Sequence, residues 1–349
     1  MTVTIHDVAR RVGVSTATVS HVLTGKGRAG PRTRRLVLAA VRKLRYYPNS
    51  HARQLAAHTS NTLGMIVSDL ENPFFPEVIK GFGARARQKG YEVILSDTNY
   101  EPRLMRRAAE RMLEQNVRGV AIMTSEMSLG LVQEFVRRRI AVTFLDLGPA
   151  RRYVSTIKID YFSGIRQVVE HLHALGHRRI AFAGGRSTLR SNIARQQAFV
   201  DSMHAFGLEP AAILPGNLRY EGGFEAGVAL LKLSPRPTAV VAINDLTAVG
   251  VIRAFHRSRV RVPDDISVTG FDRTHLAKYV VPSLTTVDLH RNLLGRIAAD
   301  ALHELSLSIS PEGKEFRIPI KLIVGESTGP APSPQETITV QPKALLCKA

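Results

Sequence analysis

The chain has no tryptophan, a single cysteine and few acids for its length: 349 residues carry 48 Lys/Arg against 29 Asp/Glu, a formal net charge of +19. Each shortage excludes something. Cys347 stands near the end of the sequence and cannot pair within the chain, so a disulfide scaffold is ruled out and a reducing compartment is expected. No stretch approaches the roughly 18 uninterrupted apolar residues of a membrane-spanning helix. Asp7 and Arg10 interrupt the first apolar residues, so no export signal is read there and the protein is expected to stay in the cytoplasm. Among catalytic signatures, G-x-S-x-G, Walker A and H-E-x-x-H are all missing, which argues against an enzyme. No cofactor and no metal are expected.

The positive charge is not spread evenly. Residues 1 to 60 hold eleven Lys/Arg against Asp7 and no Glu, about half of the net charge in the first sixth of the chain. Within that segment Ile5, Val8, Ala9 and Val12 recur at helical spacing behind Thr4, a good N-cap. Gly13 breaks the helix. Ser15 then caps a second helix whose Val19, Val22 and Leu23 face back, while Thr16, Ala17, Ser20 and His21 face out. Two short helices joined by a glycine turn form a helix-turn-helix, whose second helix enters a DNA major groove. After Pro31 a third stripe, Val37, Ala40, Val41 and Leu44, closes a small core. A high isoelectric point would also suit an anionic membrane surface, but here the charge sits on a helix-turn-helix rather than on one basic amphipathic helix. Double-stranded DNA is the better partner, and no membrane is expected.

TIHDVARRVGVSTATVSHVL and YPNSHARQLA carry a specific resemblance to the lactose-repressor/galactose-repressor family of bacterial transcription regulators, and agreement continues almost to residue 330. The resemblance implies a homodimer in the bacterial cytoplasm, at the nucleoid, binding a near-palindromic operator under the control of a small molecule. It implies DNA contacts from Thr4, Ser15, Thr16, Ala17, Thr18, Ser20 and His21. It also implies that residues 47–60 form a hinge helix, in which Leu55 is wedged between base pairs of the minor groove with Asn49 and Ala52 on the same face. A helix that short is marginal alone, because isolated helices below ~12 residues do not recover their nucleation cost. Its folding should therefore depend on a partner.

From Leu63 short apolar runs alternate with helix-length amphipathic stretches, the α/β pattern. TLGMIVS, YEVILSD, GVAIMT, AVTFLDL, IAFAGG, TAVVAIND, ISVTGFD and IKLIV read as strands, and runs so continuously apolar suit parallel strands covered on both faces. Helices are expected over 76–89, 102–115, 163–175, 195–206, 222–233 and 246–258. Two copies of a doubly wound unit follow from the order, with ligands at the carboxyl ends of the strands. The predicted organisation is an all-α helix-turn-helix domain (1–46), a hinge and linker (47–60), an α/β domain of two parallel-sheet lobes (61–328) and a flexible tail (329–349). By resemblance the lobes follow a fold shared with periplasmic sugar-binding proteins, 61–159 plus 289–317 and 160–288 plus 318–328. The tail carries prolines and no leucine heptad, so assembly beyond a dimer is not expected.

Polar groups fall at strand ends: Asp69, Asn72, Asp160, Asn244, Asp245 and Asp272. Several carboxylates could be acid and base, or could accept hydrogen bonds from ligand hydroxyls; with no nucleophile beside them the second reading is preferred. The family implies Phe74 and Phe75 at the crevice mouth and Arg195 facing Asp245, a fork of donors opposite an acceptor. Asp160, Ser191 and Phe271 rank next. Asp160 and Asp245 could instead cap the helices that follow, and Phe75 and Phe271 could be core. Leu218 falls where many members place an aromatic ring to stack on the ligand, which puts flat stacking in doubt. A sugar or sugar derivative is favoured as effector, with a nucleobase or nucleoside corepressor, or a phosphoprotein partner, as alternatives; a transport component is disfavoured by residues 4 to 55.

Two patterns mislead. Gly25, Gly27 and Gly30 spell G-x-G-x-x-G but follow a helix rather than a strand, so they make a loop and not a dinucleotide site. His171, His173 and His177 resemble a metal cluster, yet positions i and i+2 of a helix face different sides and His177 lies past Gly176.

Overall fold

The computed structural model describes residues 3–25, 29–46, 60–124, 126–146, 148–185 and 188–333, and the chain divides into units of residues 1–60 and 61–349. The first unit contains α1 (Ile5–Val12), α2 (Thr16–Thr24) and α3 (Pro31–Lys43). At the head of α1 the Asp7 carboxylate accepts from both the N–H and the hydroxyl of Thr4, at 2.9 and 2.8 Å. Those two bonds hold Asp7 below the usual carboxylate range. Gly13 ends α1 with φ +70°, and the Ser15 hydroxyl accepts the Thr18 N–H at 3.1 Å to start α2. Pro31 stands in the first turn of α3, where its fixed φ suits the helix. Val8, Ala9, Val19, Val22, Val37 and Ala40 are buried together as the core of the unit.

In the second unit the first half runs β1 (Thr62–Val67), α4 (Phe74–Gln88), β2 (Glu92–Asp97), α5 (Pro102–Glu114), β3 (Gly119–Met123), α6 (Leu129–Arg137), β4 (Ala141–Leu145) and β5 (Val154–Lys158). These strands and β11 (Glu315–Arg317) form one sheet in the order β11-β5-β4-β3-β1-β2, parallel throughout. All six residues of β1 are buried, as a central strand covered on both faces must be. The chain continues through α7 (Tyr161–Ala174), β6 (Ile180–Ala183), α8 (Arg190–Ala205), β7 (Ala212–Leu214), α9 (Tyr220–Leu231), β8 (Ala239–Ala242), α10 (Asp245–Arg257) and β9 (Ser267–Thr269). Here the sheet is β7-β6-β8-β9, again parallel. Two doubly wound lobes result.

After α11 (Leu276–Tyr279) and β10 (Thr286–Asp288), α12 (Arg291–Leu307) returns to the first lobe, and β12 (Lys321–Ile323) comes back to pair antiparallel with β10. Glycine sets the return. A Cβ on Gly81 would overlap the Asn292 carbonyl, and one on Gly295 would overlap the Val78 carbonyl, so α4 and α12 cross backbone to backbone. IKLIV was expected to be a parallel strand; it is half-exposed and lies in a separate two-stranded ladder. The segments β7, β10, β11, α6, α11 and α12 were not anticipated, and β5 only as the strand end before Asp160. Of these, β7, β10 and β11 are only three residues long, too short to show a period.

Candidate functional site

In the first unit the exposed part of α2 carries Ala17 and His21, while Thr16, Thr18 and Ser20 are half-buried. The hydroxyls of Ser15 and Thr18 lie 2.9 Å apart, so each positions the other at the helix start. Thr4 is exposed but committed to Asp7. On α3 the guanidinium groups of Arg32, Arg34, Arg35 and Arg42 and the ammonium of Lys43 are on exposed residues. Among the described residues no Lys or Arg of this unit has a carboxylate partner within ion-pair distance. A helix-turn-helix with unneutralised cations is built to meet phosphates. Asn49, Ala52, Leu55 and Gly27 lie outside the described residues, as does Cys347.

In the second unit a narrow crevice of about 60 Å³ lies at the carboxyl ends of both sheets, tighter than the roughly 300–1,000 Å³ of typical small-molecule sites. The first lobe contributes Ser68 and Asn72 after β1, Tyr100 after β2, Thr124 after β3 and Asp146 after β4; the second contributes Ser191, Asn192 and Arg195 from α8, Leu218, Asn244 and Asp272. Phe74 and Phe75, at the start of α4, form part of the wall, with ring centroids 5.1 Å apart at 87°.

Arg195 is the centre of the site. Its guanidinium carbon lies 4.8 Å from the Tyr161 ring centroid and 4.6 Å from that of Phe271, and Nη1 donates to the Ile243 carbonyl at 2.8 Å. Nη2 is 3.6 Å from Asp272 Oδ1. Burial opposes the charge on Arg195, but Asp272 and Tyr161 more than offset it, and its pKa is raised. Burial pushes Asp272 up to about 6, against the pull of Arg195 and Arg291. Two polar atoms are left without a hydrogen-bond partner, Arg195 Nε and Asp272 Oδ1. A buried donor and acceptor so close together, both unsatisfied, carry a cost that a ligand with adjacent donor and acceptor atoms would remove.

The polar groups of Asp146 and Asn244 are already paired internally. Asp146 accepts the Ile159 N–H and the Tyr161 hydroxyl, each at 2.8 Å, and burial raises its pKa. Asn244 caps α10 by accepting the Thr247 N–H at 2.8 Å and donates to the Leu218 carbonyl at 3.0 Å. Four crevice residues, Tyr100, Asp146, Leu218 and Asp272, have positive φ, from +55° to +104°. For side-chain-bearing residues that backbone is unfavourable, and its concentration at one site is typical of places held in shape for a ligand.

Among the eight residues expected at the effector site, Phe74, Phe75, Ser191, Arg195 and Leu218 line the crevice. Three do not. Asp245 is fully buried below it, with its carboxylate spent on Thr274 N–H (2.6 Å), Thr274 hydroxyl (2.9 Å) and Thr286 hydroxyl (2.5 Å). Burial and the nearby Asp272 charge push Asp245 up to about 7. The acceptor facing Arg195 is therefore Asp272, one strand along. Asp160 is exposed and caps α7 through the Ser163 N–H at 2.9 Å, facing a different concavity. Phe271 is completely buried and supports Arg195 from beneath. Sequence reasoning noted Asn72, Asn244 and Asp272 only as strand-end polar groups and missed Tyr100, Asp146, Tyr161 and Asn192. The phrase YFSG after IKID placed Tyr161 at a helix start, which was the available signal. His177 is buried and bonded to Thr238, Ser267 and the Gly329 carbonyl, all at 3.0 Å.

Comparison with known proteins agrees with this division of labour. Residues 4–49 match the family described as bacterial regulatory proteins, lacI family, and residues 169–328 match a periplasmic binding protein-like domain. The chain is 32% identical over 329 residues to an HTH-type transcriptional repressor, PurR, of Mannheimia succiniciproducens, covering 93% of this chain and 98% of that protein. Among solved structures, the lac repressor dimer bound to operator and the anti-inducer ONPF aligns with a TM-score of 0.83 at 30% identity, over 94% of this chain and 100% of the other. A complex of the transcriptional regulator CelR with cellobiose aligns with a TM-score of 0.70 at 27% identity, over 93% and 99%. With a helix-turn-helix, two parallel-sheet lobes and full-length relatives all in agreement, the chain belongs to the lacI family of bacterial regulatory proteins.

Proposed function

We propose that the protein is a cytoplasmic, homodimeric repressor that binds a near-palindromic operator through residues 1–46 and a hinge at 47–60, and is switched by a neutral, hydroxylated small molecule, sugar-like in chemistry, held between the lobes of residues 61–328. One α2 reads one half-site, so two-fold symmetry follows from the motif. The lac repressor aligned above is a dimer on its operator, and CelR holds cellobiose. No activated nucleophile accompanies the crevice carboxylates, so the site binds without reacting.

The observation that carries the ligand class is the Arg195–Asp272 pair. Among the described residues the crevice is lined by one cation, itself compensated by Asp272, beside a second carboxylate, Asp146. A phosphate or carboxylate ligand would find no spare positive charge there. The buried, unpaired Nε and Oδ1 atoms instead match the donor and acceptor atoms of neighbouring hydroxyls. The aromatic wall of Phe74, Phe75 and Tyr100 supports a second reading, a nucleobase or nucleoside. A thermal-shift screen of neutral sugars, sugar phosphates and nucleobases separates them, since a ligand at 100 times its Kd adds ~2.7 kcal/mol of stability. Stabilisation by neutral sugars alone is the expected result. A response confined to nucleobases selects the second reading, and one confined to sugar phosphates refutes the charge argument.

A further inference from the structure

A second, open concavity of about 410 Å³ lies between the loop that follows β9 and the amino end of α12. Its electrostatics are the reverse of the crevice. Arg273, Lys278, Arg291 and Arg296 face it, together with His275 and His290, against Glu77 and Asp288. Both carboxylates are committed: Asp288 to Arg273 and to the N–H of His290 at 2.8 Å, Glu77 to His275 at 3.2 Å and Lys80 at 3.8 Å. Arg291 is buried and donates to the carbonyls of Pro73 and Arg273, which fixes the floor. Lys278 and Arg296 are exposed and have neither a hydrogen bond nor an ion pair among the described residues.

The groove has a further source of positive potential. Asn292 and Leu293, in the first turn of the 17-residue α12, line it, and no side chain caps that helix. The first N–H groups of a helix lack intrahelical partners and, with the helix dipole, favour an anion. We propose that this groove is a second ligand site, for a multivalent anion such as a phosphorylated or polycarboxylate metabolite, held by Lys278 from the second lobe and Arg296 from the first over the start of α12. Two free cations converging from opposite sides select more than one negative charge on the ligand.

The test is calorimetric titration of the full-length protein with pyrophosphate, citrate and inorganic phosphate at fixed ionic strength. The variant K278Q/R296Q is compared with R106Q/R107Q, which removes the same charge from exposed positions on α5 and controls for general attraction to a basic protein. Pyrophosphate or citrate affinity is expected to fall at least tenfold in K278Q/R296Q and to stay within twofold of wild type in R106Q/R107Q, with inorganic phosphate the weakest of the three. Tighter binding of pyrophosphate assigns a phosphorylated ligand and tighter binding of citrate a polycarboxylate. Equal losses in both variants, or no saturable component lost in K278Q/R296Q, overturn the site. Both pairs are exposed, so matching melting curves verify that the comparison is between folded proteins.

Discussion

The helix-turn-helix unit and the crevice handle positive charge in opposite ways. In residues 1–46 the arginines of α3 are exposed with no carboxylate partner among the described residues, and the lone acid, Asp7, is used within its own helix turn. In the crevice Arg195 is buried, sandwiched between two rings and compensated by Asp272. Charge kept in water acts at long range on a polyanion and is screened by salt. Charge removed from water acts only at contact, and its cost is recovered when a ligand completes its hydrogen bonds. A regulator needs both: an address read through phosphates and bases, and a chemical signal read at short range.

The contrast breaks most visibly with salt and deletion. A protein neutralising ~6 to 10 phosphates loses roughly 10³ to 10⁵ in affinity between 50 and 200 mM salt, so operator binding should collapse over that range while effector binding barely changes. Removing residues 1–60 should abolish operator binding and leave effector binding intact. Filter binding and calorimetry over a salt series measure both. Retention of operator affinity by residues 61–349 would show that the charge-rich unit is not the DNA-binding one.

Next in size is the buried pair. Arg195→Ala leaves buried Asp272 with only the more distant help of Arg291, and truncating one member of such a pair costs about 2–5 kcal/mol of stability. The melting temperature should fall, effector affinity should fall roughly tenfold or more through the lost charged hydrogen-bond donor, and operator binding should survive. Asp272→Asn should weaken the effector similarly. Wild-type affinity in both variants would move the site elsewhere. Asp245→Asn sharpens the distinction between touching a ligand and holding the loop that does. An amide has one acceptor oxygen in place of two, so either the Thr286 hydroxyl turns to accept from Nδ2 or a buried bond is lost, at up to about 1–3 kcal/mol. Stability should drop first. The carboxyl of Asp245 is raised from its ordinary 3.8 to about 7, so its burial costs progressively more as pH rises through that interval. The variant should lose this decline in stability between pH 4 and 7.

How much of this was legible depended on how each element announces itself. Val8, Val19 and Val37 are buried where helical periodicity placed them, because a three-helix core leaves no other arrangement for the stripes. β1, β3 and β4 are continuous apolar runs and were readable as buried strands. The helix α12 was missed, since its identity depends on Gly81 and Gly295 allowing contact with α4, 200 residues earlier. At the site Arg195 was legible from its motif. The choice of Asp272 over Asp245 was not: both end apolar strands, and only the positive φ of Asp272, +104°, turns its carboxylate toward Arg195 while Asp245 starts a helix beneath.

His177 offers a control inside the effector unit, far from any proposed ligand contact. Burial lowers its pKa from 6.5 to about 4. A group depressed in the folded state contributes stability that is complete above its unfolded pKa and disappears as pH falls through the folded one. That window runs from about 6.5 to 4, and a shift of this size corresponds to roughly 3 kcal/mol. Melting temperature should fall across the window in the wild type, and His177→Gln should flatten the profile. An unchanged profile would mean that another group governs acid unfolding.

The smallest effect tests whether α2 reads sequence or only grips the backbone. Ala17 and His21 are one helical turn apart and are the exposed candidates on that helix, whereas Thr16, Thr18 and Ser20 are half-buried. Phosphate contacts position a protein without reporting sequence; base-edge contacts carry the information. Ala17 can offer only an apolar contact, such as one to a thymine methyl, and His21 a hydrogen bond. Replacing either should change preference at one base pair per half-site by about 1–3 kcal/mol, less for Ala17. Total affinity at low salt should change little, because the arginines of α3 are untouched. Arg34→Ala should do the reverse, weakening all sequences alike and reducing the salt slope by about one unit. Selection from a random DNA library separates the outcomes: an altered consensus for His21→Ala with an unaltered one for Arg34→Ala is expected. The same consensus from both would assign α2 to positioning alone and place sequence readout outside the helix pair.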